Sequence, residues 1–231
     1  MWLAERAAPG SLAYTTPLVL RLRGPVRPDV VQAALSAIVA RHEVLRTVFA
    51  AERGVPVQVI GPAYEVALPV VDRRDAGPAD VDAAIREELG TPFHLDRGPL
   101  FRARLIVTGA QESVLVLNMH HIVTDGWSAI VLQDELAALY PALCAGEPSP
   151  LPELPLQYAD HAVRQEALLT ADRRKALETY WRDKLDGAPA YLPLPYDRQP
   201  PAEPRWEGDT HSFTLDARLT TDLRALARDE G

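Results

Sequence analysis

The stretch NMHHIVTDGWS, residues 118–128, gathers the chain's most reactive side chains in eleven positions. His120 and His121 are adjacent, and Asp125 and Gly126 follow after three residues. A neutral imidazole can take a proton near pH 7, because its unperturbed pKa is roughly 6.5. A carboxylate can cap a helix, here by accepting from the amide of Trp127 or Ser128. A glycine amide at a helix start can donate to a developing oxyanion. Together these groups would make a polar pocket. The plainer alternative is a satisfied core histidine beside a capping aspartate.

The flanking pattern sorts these options. VLVL (114–117) is apolar at every position, as in a strand covered on both faces. If that strand runs to 121, His120 and His121 point to opposite sides of the sheet. Two ligands of one metal ion must converge, so no metal site is expected; the helical zinc pattern HExxH is also absent.

The elements that must hold the loop read as a mixed α/β (α+β two-layer) pattern. Strands are expected at 13–24, 44–50, 55–60, 100–109 and 113–121, with AERG as a turn before 55. Helices are expected at 27–43, with Val31, Leu35 and Ile38 as its stripe, and at 78–90, stopped by Gly90. A third runs from Trp127 to Cys144, and a helical region covers 155–186 with Leu177, Tyr180, Trp181 and Leu185 on one face. Cys144, the only cysteine, excludes an internal disulfide and is expected to be a small core residue. Residues 188–204 are Pro-rich and read as an extended crossing segment. A strand (210–216) and a helix start follow. They cannot bury their apolar faces alone, so 205–231 is expected to open a second lobe.

Composition excludes several classes. The 231 residues carry a net charge of -8 with no basic block, which disfavours nucleic acid and anionic membrane surfaces. No apolar run reaches the ~18 residues of a membrane span, and the N-terminus lacks a signal-peptide pattern. A cytoplasmic location is the expectation. P-loop, GxGxxG and GxSxG motifs are absent.

HHIVTDG (120–126) resembles the HHxxxDG motif of nonribosomal peptide synthetase condensation domains, in the chloramphenicol acetyltransferase-like superfamily. RHEVLRTVF (41–49) resembles that family's RHExLRTxF segment. PGSLAYTTPLVLRLRG (9–24), PFHLDRGPLFRARL (92–105), QYADHAVRQ (157–165) and YWRDKL (180–185) are weaker matches in the family's order.

The resemblance implies a lobe of that fold, a mixed sheet covered by helices. It places 1–187 in an N-terminal, donor-side lobe, 188–204 in the crossing segment and 205–231 at the start of an incomplete C-terminal lobe. It implies amide formation between a thioester and an amine, both carried on phosphopantetheine of partner carrier domains, with no cofactor bound directly. The implied partners are upstream and downstream peptidyl carrier domains, the remaining C-terminal lobe and an adenylation domain in cis.

By position, His121 is the implied active-site residue and His120 its inward support. Asp125 is implied to be architectural, paired with an arginine; Arg41 is the candidate. Gly126 is implied to bring the helix start close to the reacting carbonyl. Arg46 is read as a structural salt-bridge residue, and Tyr158 and Trp181 as core aromatics. The two histidines separate the chain from heterocyclisation domains, and DGWSAIVL leans towards a subtype joining two L-configured residues. A stand-alone coenzyme A-dependent acyltransferase and a non-catalytic carrier-docking module are the alternatives.

Overall fold

The computed structural model describes residues 1–190, 192, 194–198 and 211–230. They fall into two units, Met1–Ala190 and Tyr191–Gly231. The first unit carries the His-His loop.

Its sheet has the order β1-β6-β5-β4. β1 (Thr15–Arg23) lies antiparallel to β6 (Glu112–His120), and β6 antiparallel to β5 (Phe101–Gly109). The three-residue β4 (Val70–Asp72) adds to β5 in parallel. Alternation along β5 and β6 feeds two cores. Leu105, Leu115, Leu117 and Met119 join one with α2 (Pro28–Arg41) and α4 (Gly126–Cys144). Ile106, Val114 and Val116 join a second, against Ala84 of α3 (Pro78–Leu89). The mixed sheet is thus covered by helices, and α3 adds a layer on its second face. This two-sided cover explains why VLVL is apolar throughout.

β2 (Thr47–Glu52) and β3 (Val55–Ile60) make a separate hairpin. Its turn is Arg53-Gly54, both at positive φ (52° and 83°), a pair that matches the strands' right-handed twist.

The expected strand 44–50 is half strand. Glu43–Arg46 instead form a 3-10 turn, in which the Thr47 hydroxyl donates back to the Glu43 carbonyl at 2.8 Å. α1 (Trp2–Ala7) and β4 had no periodic signal, being six and three residues long. The helical region 155–186 divides into α5 (Tyr158–Leu168) and α6 (Ala171–Leu185), with Thr170 capping the second.

Three packing expectations are corrected. Cys144 is exposed, because it is the last helical residue of α4. Tyr158 and Trp181 are more than half exposed, and Leu177, Tyr180 and Leu185 are exposed with them. Among the described residues no core cluster reaches that face of α6; Tyr180 and Trp181 pack edge-on against each other at 5.2 Å.

In the second unit, α7 (Ala217–Asp229) is capped by Asp216 and exposes Leu219, Leu223 and Leu226. The expected strand 210–216 is described only from 211 and has no ladder partner there, so it forms no strand. The Pro-rich stretch 188–204 lies partly outside the described residues; its described part has no helix or strand. Among the described residues no helix is long and apolar enough to cross a membrane.

Candidate active site

β6 ends at His120, opposite Thr15 of β1. The His121 amide still donates to the Tyr14 carbonyl at 2.7 Å, extending the ladder by one bond. Strand alternation therefore persists through both histidines. His120 is 2% exposed, whereas His121 is exposed.

His120 is enclosed by its contacts. The Ile122 amide donates to its Nδ1 at 3.0 Å, so that nitrogen holds a lone pair and the neutral ring carries its proton on Nε2. The ring lies 6.2 Å from Tyr14 and meets Phe93 edge-on, also at 6.2 Å. The Arg102 guanidinium covers Phe93 at 4.0 Å. Burial first, then the neighbouring His121, lowers the His120 pKa to about 4.

His121 is oriented differently. Its Nδ1 lies 2.7 Å from the Thr124 carbonyl. A carbonyl only accepts, so Nδ1 is the donor, and the neutral ring presents its lone pair at Nε2. The turn that brings Thr124 back is closed by the Val123 amide on the His120 carbonyl at 3.0 Å. One ring nitrogen is thus held by the protein and the other is open, able to accept a hydrogen bond or a proton.

Asp125 caps α4. Its Oδ1 accepts from the Ser128 amide and hydroxyl, both at 2.7 Å, and its own amide donates to Ser128 Oγ at 3.2 Å. Those bonds hold the Asp125 carboxyl below its ordinary 3.8. Gly126 is the first residue of α4, where amides have no intrahelical partner. A Cβ there would meet nothing within 4 Å, so the space beside the helix start is open.

Arg41 does not pair with Asp125. Its Nε donates to Glu135 Oε1 at 2.8 Å and its Nη1 to the Pro152 carbonyl at 2.5 Å. Glu135 stands ten residues beyond Asp125, about 15 Å along α4. The C-terminal end of α2 thus meets the middle of α4, and Asp125 at the helix start is satisfied by its own cap. His42 Nε2 lies 2.7 Å from the other oxygen of Glu135. Gln157 completes the cluster, donating to the Arg41 carbonyl at 2.9 Å and accepting from the Glu43 amide at 3.1 Å. Sequence reasoning missed Glu135 and Gln157; the only signal was a carboxylate between Leu132 and Leu136 on an apolar stripe. Arg46 donates to the Gly61 carbonyl at 2.5 Å and approaches Glu43 at 3.4 Å, tying the 3-10 turn to the end of β3.

Among the described residues no three His, Cys, Asp or Glu side chains are grouped as metal ligands.

The chain is 43% identical, over its whole length, to linear gramicidin synthase subunits C and B of Brevibacillus parabrevis, and spans 3% and 5% of them. The X-domain from teicoplanin biosynthesis superposes with a TM-score of 0.77 at 33% identity, over 87% of this chain and 44% of that one. The X-domain is also solved in complex with OxyB. The model of the Condensation domain family matches residues 1–231, the His-His loop included. With an oriented His121, a buried His120 and a capped Asp125 in one such loop, the chain belongs to the Condensation domain family of nonribosomal peptide synthetases.

Proposed function

We propose that residues 1–187 supply the donor-side wall of a peptide-bond-forming site, with His121 at its centre. The observation that carries this reading is the 2.7 Å bond from His121 Nδ1 to the Thr124 carbonyl, which leaves Nε2 as the acceptor.

The substrates are an upstream aminoacyl or peptidyl thioester and the amine of a downstream amino acid, each on the phosphopantetheine arm of a carrier domain. The amine nitrogen attacks the thioester carbon. His121 Nε2 takes the proton that the nitrogen must lose, worth typically ~10²–10⁴-fold. The Gly126 amide faces the oxyanion. The C–S bond then breaks, and the imidazolium returns the proton to the leaving thiolate. Tethering both substrates contributes by orientation. An adenylation domain in cis would load the acceptor, and both joined residues would be L-configured.

The match covers 44% of the X-domain chain, so the reaction is assigned to a longer protein that contains these residues. The 231-residue stretch alone is expected to show no turnover, because water exclusion needs a second wall.

A second reading is a protein-docking module, supported by the likeness to an X-domain solved with OxyB. One experiment separates the two. His121→Ala in the intact synthetase, with both carriers loaded, should lower the dipeptide detected by mass spectrometry by ~10²-fold or more. Undiminished product would overturn the catalytic reading and leave the docking one.

A further inference from the structure

A cavity of about 250 Å³ opens beside the His121 loop. Its buried apolar walls are Ile38, Leu45, Met119, Val123 and Leu132. Trp127 and Tyr158, both more than half exposed, stand where it meets solvent.

We infer that this cavity is a subsite for one aliphatic or aromatic side chain of an amino acid reacting at His121; the inference rests on the condensation reading above. Size is the first argument. An apolar cavity of roughly 150 Å³ suffices to bind benzene. The space here admits a phenyl or isobutyl group.

Polarity is the second argument. The polar lining residues are His42, Thr124, Ser128, Tyr158 and, by its indole N–H, Trp127. Three of them are already engaged. His42 Nε2 is taken by Glu135 at 2.7 Å. The Thr124 carbonyl accepts from His121, and its hydroxyl donates to the His120 carbonyl at 3.3 Å. The Ser128 amide and hydroxyl both go to Asp125. A charged or amide side chain would lose its water and gain few partners. An apolar one loses nothing.

Position is the third argument. Thr124 is both a wall of the cavity and the acceptor that orients His121. Val123 and Thr124 of the wall belong to the loop that carries the imidazole, so a side chain seated there lies beside that loop.

The test is binding to the 231-residue chain, read by amide chemical shifts. N-acetyl-L-phenylalaninamide should shift Val123, Thr124 and Leu132, and N-acetyl-L-aspartamide should not. Val131→Phe fills the cavity from α4 and should remove those shifts. Tyr158→Ala changes only an exposed side chain, so it keeps the fold and should weaken binding several-fold, whatever Val131→Phe does to stability. His121→Ala should retain binding while product is lost in the intact synthetase. Equal shifts from both amides, shifts unchanged in the filled variant, or none at high ligand concentration would overturn the subsite. A bound phenylalaninamide with His121-independent product would overturn the condensation reading and leave the apolar cavity standing.

Discussion

His121 Nδ1 stands 2.7 Å from the Thr124 carbonyl three residues ahead, and that one bond selects the tautomer of the imidazole. Removing the imidazole should cost activity without unfolding the lobe, since the side chain is exposed. For His121→Ala the expected loss in the intact synthetase is ~10²-fold or more. Product formation by mass spectrometry, beside an unchanged melting curve, checks it.

His120 should give the lobe a pH-dependent stability. Its pKa is depressed from 6.5 to about 4 in the folded state by burial and by His121. Between those values the unfolded chain binds the extra proton, so stability is full above 6.5 and is lost as pH falls towards 4. The loss is about 3 kcal/mol at its limit. Melting temperatures across that window should slope for the natural chain and flatten for His120→Phe, whatever the variant's absolute stability.

Asp125 acts through its cap, which sets a different acid window. Asp125→Ala should cost about 1 kcal/mol, a melting shift of about 2–4 °C. Because the folded carboxyl titrates below 3.8, its contribution is present above that value and fades as pH falls through the folded pKa. Asp125→Asn should keep the cap and lose this acid dependence, as thermal melts below pH 4 would show.

The Arg41–Glu135 pair is the costlier one to break. Both side chains are largely buried, 17% and 9% exposed, and Glu135 also holds His42. Glu135→Ala strands Arg41 and should destabilise by about 3–5 kcal/mol in urea unfolding. A double-mutant cycle between Arg41 and Asp125 should be additive within about 0.5 kcal/mol, since the two share no contact.

Much of this protein was decided by local order along the chain. The apolar run 114–117 marked a strand covered on both faces, and HHIVTDG marked the loop after it. Period-two geometry then separated the two histidines, and Asp125 stood one residue before a helix. Each is a short-range relation, readable because strand alternation and N-capping act within a few residues. Tertiary structure decided the rest. Arg41 and Glu135 are 94 positions apart, so no local pattern could name the partner, and the aspartate in the motif offered a wrong one. β4 exists only because β5 offers it an edge; three residues have no period of their own. Trp181 lies on an apolar stripe yet stays exposed, because a stripe shows that a helix has a face and only packing shows what covers it. The cavity beside Thr124 is likewise assembled from α2, the 3-10 turn, β6, α4 and α5, elements that meet only once the chain has folded.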